Sequence, residues 1–369
     1  MPELVALDLP GGDRFVDELR RAWDAGDAIF PVDQRLPRSA KTELIEQVGA
    51  GWVVDGAGRG RTDVGRPTER GDAAVLATSG STGAPKGVVL THTAIAASAE
   101  ATSARLGVRP DDHWLACLPL SHIGGLSVVF RALHLGTPLT IHPTFDPAAV
   151  DDSEATLVSL VGTALRRVDP SRFRVIVLGG SRPPVDRPSN AIATYGMTET
   201  GSGVVYERVP LDGVEVRVVD GEIEVRGEML LRCYRDGSDP KRADGWFPTG
   251  DLGEVEDDGR LTVHGRRGEL IITGGENVWP ERVESAIRSH PGVADVAVYG
   301  RDDPEWGQVV TALVVPVDPA RPPSLADLRA HVKSTHPAFQ APRRVVTCGE
   351  IPRTTLGKIK RADLVRLDR

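Results

Sequence analysis

The segment Thr78-Ser79-Gly80-Ser81-Thr82-Gly83-Ala84-Pro85-Lys86-Gly87 sets hydroxyls, glycines and one lysine between two short apolar runs, Ala74–Ala77 and Val88–Leu90. Hydroxyls, unhindered backbone N–H groups and an ammonium together form a nest for polyphosphate. The pattern lacks the G-K-[ST] of a Walker loop, and a strand-like run rather than a helix follows it, which disfavours a kinase-type P-loop. Most Ser/Thr/Gly runs are flexible linkers. Here the flanking strand-like runs and the fixed Pro85-Lys86 argue for a built loop. A second place for chemistry is Gly179-Gly180-Ser181, directly after the apolar run Arg174–Leu178. Open α/β sheets bind ligands at such strand ends, and residues without side chains let a flat purine or acyl group approach the backbone. A tight turn after a strand is equally compatible with these three residues.

Short apolar runs alternating with helical stretches from Ala73 to about Pro143 predict α/β layers around these loops. Val214, Val216 and Val218, then Asp220-Gly221, then Ile223 and Val225 predict a hairpin with a type I′ turn. After Gly265 a smaller α+β unit is legible, with strands Leu270–Thr273, Val296–Tyr299 and Val309–Val315. Its helices start at Pro280 and at Leu325, the latter behind a Ser324/Asp327 capping box. The expected fold class is therefore α/β: a large layered domain with a β-rich portion over residues 1–265, and a small α+β domain over 266–369. The chain has 369 residues, 40% of them hydrophobic, enough for two cores. Its net charge of -8 opposes binding to nucleic acid or anionic membranes. Cys117, Cys233 and Cys348 lie far apart with no C-x-x-C pair, so reduced thiols and a cytoplasmic location are expected. Neither a leader-like N-terminus nor an apolar run of membrane-spanning length is present.

Four further motifs follow the phosphate-loop segment: Tyr195-Gly196-Met197-Thr198-Glu199, Thr249-Gly250-Asp251, Gly265-Arg266-Arg267-Gly268-Glu269-Leu270 and Pro352-Arg353-Thr354-Thr355-Leu356-Gly357-Lys358. Together, and in this order, they resemble the acyl-adenylate-forming superfamily of acyl-CoA synthetases, luciferases and peptide-synthetase adenylation domains. The resemblance runs from about Ala74 to the C-terminus. It implies a two-step reaction, carboxylate plus ATP giving acyl-AMP and pyrophosphate, then thiol attack on the mixed anhydride. By this resemblance Thr78, Ser79, Gly80, Ser81, Thr82, Gly83 and Lys86 hold phosphates, Tyr195 and Gly196 meet adenine, Thr198 contacts phosphate and Glu199 holds Mg²⁺. Gly179, Gly180 and Ser181 line the adenine and acyl pockets, while Asp251 and Arg266 take the ribose hydroxyls. Lys358 bridges the carboxylate and the α-phosphate, a preplaced cation where negative charge builds. Read alone, Glu199 is a surface acid, T-G-D a turn, Arg266 a solvated charge, and Arg353, Lys360 and Arg361 a solvated basic tail.

Members of the superfamily rotate the small domain between steps, which here would bring Gly274-Gly275-Glu276 to the thiol channel. The pivot falls on Gly268, where many relatives carry Asp or Lys; glycine offers the freedom a hinge uses but no polar clamp. With Lys358 eleven residues from the last residue, free coenzyme A is the simpler acceptor, with a separate carrier protein as the alternative. The stretches Ser121-His122-Ile123-Gly124-Gly125-Leu126 and Tyr195–Val214 are similar to a short branch of the family acting on an aromatic dicarboxylic acid. Ser121, His122 and Gly124 are the expected acyl-pocket residues, His122 also catalytic with Lys358, Thr198 and Glu199. Arg131 is a candidate donor for the second carboxylate, although helical arginines are mostly exposed. Other readings are a different short aryl- or acyl-CoA ligase, or a non-catalytic nucleotide- or acyl-binding protein. Retention of Glu199 and Lys358 argues against the last.

Overall fold

Leu4–Leu7 and Ala28–Pro31 are strands of four fully buried residues each, the continuous apolar pattern of parallel strands covered on both faces. They open the chain in a computed structural model that describes residues 1–79, 85–184, 186–353 and 359–367, and only the backbone of Ser79, Pro85 and Ala362. Contact density divides the chain into two compact units: Met1–Arg217 with Glu224–Pro248 and Asp257–Leu261, and Val218–Ile223 with Thr249–Glu256 and Thr262–Arg369.

In the first unit a seven-stranded sheet runs in the order Cys233–Tyr234, Pro85–Thr91, Asp72–Ser79, Ala28–Pro31, Leu4–Leu7, Trp52–Asp55, Gly58–Arg61. Asp72–Ser79 and Pro85–Thr91 pair antiparallel, so the phosphate-loop segment joins two adjacent strands as expected. A second seven-stranded sheet has the order Val209–Pro210, Ser202–Tyr206, Ala191–Met197, Val175–Gly179, Leu157–Val161, Trp114–Ala116, Leu139–Ile141. Leu115, Val158, Leu160, Ile176 and Leu178 form one of its cores. The helix His92–Leu106 starts where Thr91 accepts the N–H of Ala94 at 3.1 Å and stops at Gly107 with φ 56°.

Glu215–Val219 and Glu222–Arg226 form the expected hairpin, with Asp220 at φ 50° and Gly221 at φ 77° supplying the type I′ turn. They belong to a four-stranded sheet with Phe247–Val255 and Leu261–Arg266. In the second unit Val293–Asp303 and Gly307–Pro316 make a long antiparallel pair, flanked by Ile271–Thr273 and, in parallel, by Arg344–Thr347. Alternation along Val293–Asp303 feeds two cores: Val296 and Val298 pack with Ile287 and Leu328, while Ala297 and Tyr299 pack with Ile351 and Leu364. The Ser324/Asp327 capping box is present at Leu325–Lys333. Among the described residues no helix is long and apolar enough to cross a membrane.

Candidate active site

Thr78 sits opposite Lys86, and Ser79 opposite Pro85, on the two strands that flank the phosphate loop. Gly80, Ser81, Thr82 and Gly83 lie outside the described residues. The Lys86 ammonium lies 4.8 Å from the ring centre of Tyr234, and the Tyr234 hydroxyl donates to Glu199 Oε1 at 3.2 Å. Glu199 and Thr198 stand on the short helical turn Thr198–Thr200 that follows the strand Ala191–Met197. Buried Thr200 fixes that turn, its hydroxyl taking the Met197 N–H at 2.9 Å and reaching the Ser202 carbonyl at 2.7 Å. The register slips between Tyr195 and Gly196, and a side chain at 196 would overlap the Ser202 carbonyl oxygen. Only glycine permits this bulge, past which the pairing runs on through Gly196 with Gly203 and Met197 with Ser202 to the turn that bears Thr198.

Gly179 ends the strand beside Ala191–Met197, its missing Cβ position 3.1 Å from the Thr194 hydroxyl, so it lies next to the Tyr195 strand. Gly180 adopts φ 86°, and Ser181 is exposed beyond it. His122 precedes the helix Ile123–Leu135, with Gly124 in its first turn. The closest partners of His122 come from residues that sequence reasoning passed over, Arg35 Nη2 at 3.0 Å and Asp33 Oδ2 at 3.6 Å. Asp33 accepts the Arg35 backbone N–H at 3.0 Å, Nε at 2.8 Å and Nη2 at 2.7 Å. Burial alone would raise the Asp33 pKa, but His122 and Arg35 hold it well below the usual carboxylate range. Ser121 Oγ is buried without a hydrogen-bond partner among the described residues.

Arg131 departs from the expectation that a helical arginine is exposed: it is 2% exposed. Its Nη2 donates to Ser127 Oγ at 2.7 Å and lies 3.4 Å from Ser202 Oγ, and the guanidinium sits 4.9 Å over the Trp114 ring. Nε and Nη1 have no hydrogen-bond partner among the described residues, and burial lowers the pKa. The helix carrying it is driven inward by Leu126, Val128, Val129 and Phe130, all buried.

In the second unit Arg266 Nε meets Asp251 Oδ1 at 3.0 Å, and its Nη1 donates to the Thr249 carbonyl at 2.7 Å. The two expected ribose residues thus form one donor and acceptor pair. Gly268 lies in the turn Arg267–Glu269 with no left-handed φ, and nothing stands within 4 Å of where its Cβ would be. Gly274 and Gly275, at φ 58° and 83°, turn the hairpin Ile271–Thr273/Glu276–Val278, and a Cβ on Gly274 would stand 2.7 Å from the Trp306 ring. Lys358 lies outside the described residues. Of its basic neighbours, Arg361 is not the solvated residue expected. Its guanidinium meets Glu269 and Glu284 at 2.6 Å each and the Val298 carbonyl at 2.7 Å. Although burial pushes its pKa down, the two carboxylates raise it above the ordinary arginine value.

Among the described residues Glu199 has no lysine or arginine partner, and none of them hydrogen-bonds to its second oxygen. Among the described residues no group of three or more His, Cys, Asp or Glu gathers to hold a metal unaided. A lone, half-buried carboxylate suits Mg²⁺, which is commonly held by one or two carboxylates plus substrate phosphates.

Residues 30–235 match the model of the AMP-binding enzyme family, and residues 282–358 match the AMP-binding enzyme C-terminal domain. The chain belongs to the AMP-binding enzyme family. It is 40% identical over 374 aligned positions, 94% of this chain and 96% of the relative, to a probable 2-succinylbenzoate–CoA ligase of Mycobacterium tuberculosis. A 2-succinylbenzoate–CoA ligase of Bacillus cytotoxicus is 34% identical, with 79% of this chain and 69% of that protein aligned. Among solved structures, o-succinylbenzoate-CoA synthetase of Bacillus subtilis in complex with the acyl-adenylate OSB-AMP superposes with a TM-score of 0.87 at 28% identity, covering 98% of this chain and 88% of that one. The same enzyme with ATP and a magnesium ion gives a TM-score of 0.86, also at 28% identity, covering 98% and 89% of the two chains. The fold is that of the acyl-adenylate-forming enzymes.

Proposed function

We propose that this protein ligates o-succinylbenzoate to coenzyme A with ATP, through an acyl-adenylate, as an AMP-forming acid–thiol ligase of menaquinone biosynthesis. One observation carries the reading: Tyr234 ties the strand leaving the phosphate loop to the turn bearing Glu199, in a chain aligned over 96% of a probable 2-succinylbenzoate–CoA ligase.

In the first step a carboxylate oxygen of the acid bonds to the α-phosphorus while the bond to the β-phosphate breaks and pyrophosphate leaves. Residues 78–83 and Lys86 cradle the leaving phosphates, with Thr198 beside them. Tyr195 and Gly196 meet adenine, with Gly180 and Ser181 alongside, and the Asp251–Arg266 pair accepts from and donates to the ribose hydroxyls. Magnesium, held by Glu199, neutralises phosphate charge when bound. Lys358 stabilises the charge building between carboxylate and phosphate. In the second step the coenzyme A thiolate bonds to the acyl carbon and AMP departs. For this step the domain of residues 266–369 turns on Gly268 against residues 1–265, withdrawing Lys358 and presenting Gly274 and Gly275 to the thiol.

Ser121, His122, Gly124 and Gly179 line the acyl pocket in this reading. The second carboxylate of the acid goes to Arg131, whose buried Nε and Nη1 have no hydrogen-bond partner among the described residues. We place the enzyme in the cytoplasm, a compartment that keeps its three cysteines as thiols.

The test is ATP–pyrophosphate exchange with a panel of acids. Highest kcat/KM is expected for o-succinylbenzoate, and Arg131→Met should raise KM for that acid while leaving benzoate unaffected. A benzoate or medium-chain acid that outperforms it sinks the assignment of the acid; no exchange with any acid sinks the ligase reading.

A further inference from the structure

We infer that Tyr234 is a positioning residue that couples the phosphate-loop lysine to the metal-holding carboxylate. The inference rests on the assignment of Glu199 to the magnesium of ATP. Tyr234 is 148 positions from Lys86 and 35 from Glu199 in the chain, yet its side chain touches both. Its backbone does the same work. Tyr234 pairs with Val88, Arg232 N–H donates to the Val89 carbonyl at 2.9 Å and Arg235 N–H to the Gly87 carbonyl at 2.7 Å. Three residues earlier, Leu231 N–H donates to the Glu199 carbonyl at 2.8 Å. Residues 231–235 thus form a strap bonded at one end to the Glu199 turn and along its length to the strand leaving the loop. Arg235 anchors the far end by donating to the carbonyls of Val48 at 2.9 Å, Pro67 at 2.8 Å and Arg66 at 2.6 Å.

The two faces of Tyr234 serve different partners. The hydroxyl occupies Glu199 Oε1, which fixes the carboxylate rotamer and leaves the other oxygen to face a cation. An aromatic face attracts an ammonium electrostatically, so the ring holds Lys86 at the mouth of the loop until phosphate takes it. Hydrogen bonds to a metal-ligating carboxylate are worth about 10–100-fold in metal affinity when removed.

Mn²⁺ titrated into enzyme with a non-hydrolysable ATP analogue, read by EPR, tests the coupling without turnover. Tyr234→Phe keeps the ring and deletes the hydroxyl. It should weaken Mn²⁺ in the ternary complex by about tenfold while metal-free nucleotide binding stays at the wild-type level. Tyr234→Leu deletes both and should also weaken metal-free nucleotide binding. Thioester formation from supplied acyl-adenylate, which needs no pyrophosphate chemistry, should be unchanged in Tyr234→Phe. The control is Glu199→Gln. If that variant loses Mn²⁺ while Tyr234→Phe binds it as the wild type does, the role of Tyr234 is refuted and Glu199 keeps its own. If Glu199→Gln binds Mn²⁺ normally, the carboxylate assignment fails and the inference with it.

Discussion

Replacing Arg361 by alanine should destabilise the second unit by about 3–5 kcal/mol, the usual consequence of removing one partner of a buried ion pair. The figure follows from what is left behind. Glu284 is 4% exposed, and its Oε1 would keep only the Val298 N–H at 2.8 Å once the guanidinium at 2.6 Å is gone. Glu269, about one-third exposed, recovers water and adds little. Val298 is a built-in reporter, because its N–H is bonded to Glu284 and its carbonyl to Arg361. Hydrogen–deuterium exchange of peptides covering Val293–Asp303 should therefore speed up in Arg361→Ala by two to three orders of magnitude, roughly the equilibrium equivalent of 3–4 kcal/mol. Arg361→Met combined with Glu284→Gln removes both charges, keeps an acceptor for Val298 and should recover more than half of the loss. Exchange at wild-type rates in the single variant, or a double variant worse than the single, would refute the reasoning. Adenylation should fall too, since Arg361 is three residues from Lys358, contrary to what a solvated tail implies.

Lys358→Ala should slow adenylation by about 10²–10³ while sparing thioester formation from supplied acyl-adenylate; equal loss in both half-reactions counts against its role. Gly268→Ala should leave stability unchanged, because nothing crowds that position and φ is not left-handed there, whereas Gly268→Pro should impair one half-reaction far more than the other. Identical half-reaction profiles for the two variants would remove the hinge from this position. Asp33 has a depressed pKa in the folded state, so its contribution is present above its ordinary value of 3.8 and is lost only as pH falls through the depressed one. Asp33→Asn should accordingly lower stability by about 1.5–3 kcal/mol, a gap that stays open from pH 8 to 5 in urea titrations; a gap that closes by pH 5 would contradict the assignment.

Local signals were legible where the chain itself determines the outcome. Asp220-Gly221 marks its hairpin because both residues take positive φ, and Ser324/Asp327 marks its helix because both capping bonds lie within one turn. The motif residues Thr78, Lys86, Tyr195, Thr198 and Glu199 could be read as types in order. What joins them could not. Tyr234 stands on a strand of two residues, Cys233–Tyr234, too short to show any period. Arg131 and Arg361 look solvated because charge on a helix usually is, and only the folded chain brings Glu284 to Arg361 or seals Arg131 beneath Trp114. Leu4–Leu7 and Ala28–Pro31 give no alternation, being buried on both faces, so the sheet they begin was not apparent.

The short strand Cys233–Tyr234 also sets a timetable for synthesis. It covers the outer edge of Pro85–Thr91, yet about 140 residues must be translated between the two. At about 5–20 residues per second, that edge waits roughly 7–30 s on the ribosome with its hydrogen-bonding groups unpaired. An uncovered edge is a template for wrong pairing, so the nascent chain carries an aggregation-prone edge before the nucleotide site exists. Because segments of each unit are separated in the chain by segments of the other, no single truncation yields either one free of the other's segments. Slower initiation or a chaperone that shields the edge, rather than a shorter chain, is the route to a higher yield of folded enzyme.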